Sequence, residues 1–300
     1  MADETFFDQT LTFSIPDKHC RGRALRLGPV LDDILSAHAY PSNIRDLLAE
    51  AVCLTAMMGS LLKDDESQVT LQAQTESGVI SLLACDYKDG DLRGYVQFDR
   101  EQLALQPLTP SLMALFGKGY LAITFDQPEP RGRNQGIVPL EGASLTEAVQ
   151  NYFLQSEQLP TLIRVSVEEQ DGKVAAGGLL VQHLPEGEEG KERLHVRMDH
   201  PEWEHVEIMG GSVASQELVN KDLSLENILW RLFSESDEVR VLSGKPCVKG
   251  CRCNEDHIRD VIARFPAEDK RDMINESGNI AIDCAFCNKK FTISGASLNN

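Results

Sequence analysis

A chain of 300 residues with 42% hydrophobic and 25% charged residues has the make-up of an ordinary soluble globular protein, long enough for roughly two domains whose cores need no disulfide staples. A net charge of -18 argues against nucleic acid and anionic membrane as main partners, because both repel a negative surface. The start of the chain lacks the basic residues and apolar run of a secretory signal, and no stretch approaches the roughly 18 apolar residues of a membrane span, so a cytoplasmic setting, where stable disulfides are rare, is expected.

Taken in order, residues 1–185 read as one α+β domain. The stretch 42–63 places Ile44, Leu47, Leu48, Ala51, Leu54, Met58 and Leu61 at helical spacing, with Ser42 or Asn43 positioned to cap it. Strand-like runs follow at 68–75, 79–87, 92–98 and 120–126, and "DYKDGDL" between two of them signals a hairpin. A second helix is expected over 144–158, opened by a capping box of Ser144 and Glu147. The runs "TLIRVSVEEQ" and "KVAAGGLLVQHL" flank Asp171-Gly172, a further hairpin signal.

At 185–192, "PEGEEGKE" breaks the composition and is a candidate linker. Helical segments are expected from about Pro201 to Leu218, interrupted at Gly210-Gly211, and from Ser224 to Glu235. Their apolar content is modest, so they are expected to lean on a neighbour. From Lys245 the chain turns cysteine-rich. Two short helices are expected in "NEDHIRDVIARF" and "PAEDKRDMINESG", the second with Pro266 at its start and Gly278 past its end, and "IAIDCAFCNKKFTIS" reads as strand, knuckle, strand.

Cys251 and Cys253 form a CxC pair and Cys284 and Cys287 a CxxC pair, separated by thirty residues. A closed structural zinc site takes four ligands in a tetrahedron, and two short thiolate pairs brought together by an intervening fold supply them. The expected cofactor is one Zn2+ per reduced chain. His257 is better placed as a surface histidine of a helix than as a substitute ligand. Cys247 can compete as a ligand or act as an extra redox thiol, and the reading prefers a non-ligand because the CxC pair already completes the four. Cys20, Cys53 and Cys85 lie in apolar contexts, where cysteine serves as a small buried hydrophobe. Thiolates are also what oxidants attack, and oxidation to disulfides removes the ligands, so the same chemistry suits a switch as well as a scaffold.

Beyond the cysteines, "YFLQSEQLPT" at 152–161, "GKGYLAITFD" at 117–126 and "AAGGLLVQHLP" at 175–185 stand in an order that, with "CRC" and "CAFC", resembles the 33 kDa chaperonins, the redox-regulated heat-shock holdases. The resemblance covers essentially the whole chain. It implies an N-terminal α+β substrate-binding domain, here 1–185, a helical linker region, here 186–244, and a small C-terminal zinc-binding domain, here 245–300. It implies zinc on Cys251, Cys253, Cys284 and Cys287, and oxidation pairing Cys251 with Cys253 and Cys284 with Cys287. Zinc release, linker unfolding, homodimer formation and ATP-independent binding of unfolded client proteins follow from it, with no enzymatic activity. One departure is Cys247, which the family motif does not require.

Two other functions compete. A zinc-ribbon nucleic-acid binder wants a basic stripe, yet 245–300 carries nine Lys/Arg and eight Asp/Glu. A thiol-disulfide oxidoreductase wants its CxxC between a strand and a helix, and "CAFC" sits in an expected knuckle. No P-loop is present, so no nucleotide is expected.

Overall fold

The computed structural model describes residues 7–170, 172–184 and 200–295. The candidate linker 185–192 and Asp171 lie outside these. The chain opens with a hairpin of β1 (Gln9–Ile15) and β2 (Cys20–Leu27), followed by α1 (Pro29–Leu35). Asp8 starts α1, its carboxylate accepting from the N–H groups of Gly28 and Val30 at 2.9 and 3.0 Å. Then come α2 (Ser42–Gly59), β3 (Gln68–Gln74), β4 (Ile80–Lys88), β5 (Asp91–Phe98), the short helices α3 (Arg100–Ala104) and α4 (Leu112–Phe116), and β6 (Tyr120–Asp126). β7 (Arg133–Pro139), α5 (Leu145–Gln155), β8 (Thr161–Gln170) and β9 (Lys173–His183) complete this part.

Helix α2 is the axis of the fold. Thirteen of its eighteen residues are buried, because it lies between two sheets and meets apolar partners on opposite sides. The first sheet has the order β10-β1-β2-β9-β8 and is antiparallel throughout. The second has the order β11-β5-β4-β3-β6-β7, antiparallel except at β11. Here β10 is Arg240–Ser243 and β11 is Val248–Lys249. Close approach of helix and sheet requires a missing side chain at Gly178 on β9, where a Cβ would stand 2.7 Å from Met57 Sδ.

Between β9 and β10 the middle of the chain forms α6 (Pro201–Gly211), α7 (Ser215–Val219) and α8 (Leu225–Phe233). Trp203, Val206, Leu218, Ile228, Leu229 and Phe233 bury themselves on the outer face of the first sheet, against Leu11, Phe13, Ile15, Leu179 and Val181. These helices therefore share a core with the sheet. Arg26 of β2 fixes them in place: fully buried, it donates through Nε to Leu218 O at 2.8 Å and through Nη2 to Glu217 O at 3.2 Å. Across the strand pair from Arg26 lies Gly177, whose hydrogen faces the same turn; a Cβ there would stand 2.2 Å from Leu218 O.

The C-terminal part holds α9 (Glu255–Ala263), α10 (Ala267–Met273) and a hairpin of β12 (Asn279–Asp283) and β13 (Lys290–Ser294). Its own buried apolar cluster is Ile262, Ile280 and Ile293.

Several local expectations are corrected. Pro41, and neither Ser42 nor Asn43, occupies the position before α2, with no side-chain cap, and α2 stops at Gly59. Ser144 caps α5 by accepting from Glu147 N at 3.2 Å, but Glu147 returns its carboxylate to Ala143 N at 2.8 Å rather than to Ser144. Gly210-Gly211 ends α6 rather than interrupting a longer helix. Gly278, at φ +75°, serves the turn into β12 and does not cap α10, which ends at Met273. The strands β1, β2, β7, β10 and β11 had no sequence expectation.

Two outcomes test this packing. Gly177→Ala drives a methyl group into the α7 carbonyl and is expected to lower stability by about 1–3 kcal/mol, read from the urea midpoint by Trp203 fluorescence. His183, on β9 between His200 and Trp203, has its pKa lowered, first by burial and then by His200. The unfolded chain therefore binds a proton that the folded chain refuses, so stability is expected to fall as pH drops below about 6.5 toward the lower folded value. His183→Asn should flatten that slope in a pH series of the same unfolding measurement.

Candidate metal centre

Strand β11 delivers the first cysteine pair. It runs parallel to β5, with Val248 N donating to Gly90 O at 3.0 Å and Gly250 N to Leu92 O at 2.9 Å, so the chain enters Cys251-Arg252-Cys253 from a fixed edge. The second pair sits where β12 turns into β13. Cys284 N donates to Lys289 O and Asn288 N to Cys284 O, and Asn288 takes the left-handed conformation at φ +58° that lets the chain reverse. This is the knuckle the sequence suggested.

The two turns bring four sulfurs together. Cys251, Cys253, Cys284 and Cys287 have all Sγ atoms within 4.8 Å of one another. The separations are 3.3 Å for Cys251–Cys253, 3.7 Å for Cys251–Cys284 and 3.4 Å for Cys253–Cys287. A tetrahedron with metal–sulfur bonds of about 2.3 Å has edges near 3.8 Å, so the four fit around one ion with small adjustment. All four are free thiols, since a disulfide would require about 2.05 Å. The four can hold a metal ion, and an all-sulfur tetrahedral set suits a soft or borderline ion.

Electrostatics point the same way. Burial raises the Cys251 thiol, but the N–H of Cys253 and the three neighbouring sulfurs outweigh it and bring it down to about 7. Cys253 is pushed up by burial and then by the same neighbours, and Cys287 is also raised. One proton leaves readily and the next is resisted, because negative charge collects on adjacent sulfurs. A cation at their centre removes that resistance. The amides of Cys253 and Lys289 donate to the sulfurs of Cys251 and Cys287, supporting the thiolate form.

Cys247 lies outside the cluster. It is buried against the main core, its amide donates to Asp8 O at 2.8 Å, and its thiol lies 3.6 Å from Thr10 Oγ1. Burial pushes this thiol up to about 11. His257 is exposed on α9 and contributes its backbone amide to the Asn254 cap. Cys20, Cys53 and Cys85 are buried.

Sequence reasoning passed over the residues that seat this centre on the rest of the chain. Arg252, the spacer of CRC, donates to Asp86 of β4 at 3.3 Å. Phe286, inside CAFC, meets Tyr95 of β5 edge-on with ring centroids 4.8 Å apart, and the Arg93 guanidinium lies 4.0 Å from its centroid. His38 Nε2 donates to Ala285 O at 2.7 Å, and Lys249 Nζ to Asp33 O at 2.6 Å. The usable signal was the bulk of Arg252 and Phe286 at spacer positions.

A family model described as Hsp33 protein matches residues 8–294. The chain belongs to the Hsp33 family. A 33 kDa chaperonin of Caulobacter vibrioides is 36% identical over 294 residues, covering 95% of this chain and 94% of that protein. One of Nitrosococcus oceani is 31% identical over 286 residues, covering 95% and 90%. The crystal structure of the 33 kDa chaperonin from Thermotoga maritima superposes with a TM-score of 0.77 at 21% identity over 97% of this chain and 96% of that one, which establishes the shared α+β fold. The Hsp33 match and these names support a chaperone. Among the described residues no helix is long and apolar enough to cross a membrane.

Zinc titration of the reduced chain is expected to saturate at one ion. Cys284→Ser should abolish tight binding, because three thiolates leave an open site. Cys247→Ser should keep full stoichiometry; loss of metal as complete as in Cys251→Ser would overturn its exclusion.

Proposed function

We propose that the protein is a redox-regulated, ATP-independent holdase, working in the cytoplasm, whose C-terminal segment 245–300 is the switch, whose segment 186–244 is the moving cover, and whose segment 1–185 supplies client-binding surface. The observation that carries this reading is the mismatch between the metal centre and its surroundings. Four reactive thiols sit in a module whose own buried cluster is three isoleucines, too small to keep it folded unaided.

Cys251, Cys253, Cys284 and Cys287 would be the ligands. A bound Zn2+ would hold the sulfurs as thiolates and tie the CxC turn to the CxxC knuckle, a cross-link on the order of 10 kcal/mol in small modules. Peroxide takes two electrons from each thiolate pair: a sulfur–sulfur bond forms, the peroxide O–O bond breaks, and two protons taken up from solvent carry the two oxygens away as water. Cys251 with Cys253 and Cys284 with Cys287 are the proposed pairs, carried over from the family resemblance. The separations between the pairs, 3.4 and 3.7 Å, are close to the 3.3 Å within CxC, so the pairing is to be read by peptide mapping of the oxidised chain.

With the ligands gone, the module would lose its cross-link and its seat on β4 and β5. Release of α6, α7 and α8 would then uncover Leu11, Phe13, Ile15, Leu179 and Val181 on the first sheet, together with the apolar faces of the helices. Exposed apolar surface of this kind binds partly unfolded chains without reading their sequence, and the oxidised form would pair with a second copy. The charge of -18 would keep such a complex in solution.

The test is hydrogen exchange of the reduced and peroxide-treated protein beside light scattering of a heat-denatured client. Peroxide is expected to release the metal, deprotect 200–295 and suppress aggregation without ATP. Metal release with that region still protected, or deprotection without suppression, would sink the mechanism.

A further inference from the structure

We propose that the chain senses the state of its metal centre through the two spacer residues, Arg252 and Phe286, which plug into a receptor built by Asp86, Arg93 and Tyr95 on β4 and β5. This deepens the holdase reading and rests on it.

The argument starts from where the spacers point. In a CxC or CxxC turn around one ion, the intervening side chains cannot face the ion, so they are directed outward by the same geometry that turns the sulfurs inward. Usually such positions meet solvent. Here both turns present a large side chain, and both are received by one patch. Asp86 is 5% exposed and is the anionic centre of that patch. Its carboxylate accepts from Thr70 Oγ1 at 2.7 Å and Arg93 Nε at 2.7 Å, and from Arg252 at 3.3 Å. Arg93, held by that pairing, places its guanidinium over the Phe286 ring at 4.0 Å, and Tyr95 meets the same ring edge-on. One carboxylate thus organises the contact to CRC directly and the contact to CAFC through Arg93.

The two spacers come from turns thirty residues apart, and the sulfur cluster ties those turns directly to each other. Spread the turns and the receptor cannot engage both. Contacts of this kind are individually modest, so their joint engagement is what matters. Coupling is reciprocal: if the assembled centre favours docking, docking must favour the assembled centre to the same degree. The receptor is therefore a positioning element for the switch, setting how firmly the metal is kept as well as how firmly the module is seated.

The test uses the full reduced, zinc-loaded chain and two sets of variants. Arg93→Ala and Tyr95→Ala alter the receptor and leave all four cysteines in place; Phe286→Ala and Arg252→Ala alter the plugs, with Phe286→Tyr as the conservative control. Three quantities are read: zinc per chain, amide exchange at Val248 in β11 and at Gly250 just after it, and the rate of zinc release to a chromogenic chelator at fixed peroxide. The receptor variants are expected to keep one zinc per chain, to exchange about tenfold faster at both amides and to release zinc several-fold faster, while Phe286→Tyr stays near wild type. Loss of zinc from a receptor variant also supports the coupling, because no ligand has been touched. Receptor variants that hold zinc and match wild type within twofold in exchange and release overturn the proposal, whatever the plug variants do. That outcome leaves the holdase reading intact. Conversely, a wild-type chain that loses zinc to peroxide without suppressing aggregation overturns the holdase reading and leaves the docking coupling standing.

Discussion

Four sulfurs within 4.8 Å form a charge problem before they form a structure. As thiols they pack poorly with one another, and as thiolates they repel, so the arrangement is stable only around a cation. Everything C-terminal to residue 245 inherits that condition. The hairpin of β12 and β13 and the helices α9 and α10 bury Ile262, Ile280, Ile293 and Phe291 between them, far short of what a free-standing domain of this length needs. The module is held by its sulfur cluster on one side and by its seat on β4 and β5 on the other.

The rest of the chain is built on a different principle. Helix α2 is enclosed by two sheets and supplies a continuous apolar core that owes nothing to metal. The middle helices occupy an intermediate position. They bury tryptophan, leucine and phenylalanine, but against the outer face of a sheet whose inner face is already satisfied by α2. Their removal leaves the central core whole. The centre, the helices on its outer sheet and the C-terminal module thus differ in how much core each owns.

Legibility in the sequence followed the same order. Period-two and period-3.6 patterns were clear where one face is buried, as in β3 and α5, the long apolar helix α2 was clear as well, and the thiol spacing announced the centre outright. The strands β1 and β2 were missed because "TLTFSIPDKHCRGRALRL" mixes arginines into positions that the fold buries: Arg23 and Arg26 are paired to backbone carbonyls, which a hydropathy pattern cannot register. Strand β10 was missed because four residues, three of them exposed, are too few to show an alternation. Arg252 and Phe286 went unremarked for a related reason. The bulk of a spacer within a metal motif hints at a contact, but the surface that receives it cannot be named until the fold is in view.

The pairing of β10 with β1 joins residues 11–14 to 240–243. On the ribosome β1 and β2 emerge early and form their hairpin, but the outer edge of β1 has no partner until residue 243 has cleared the exit tunnel. At about 5–20 residues per second that interval is on the order of ten to forty seconds. Throughout it the nascent chain presents an open strand edge beside uncovered Leu11 and Phe13, the arrangement that invites pairing with other chains. A protein of this design spends its own synthesis in a state as adhesive as the clients it would later hold, and its earliest need is for protection of a single strand edge.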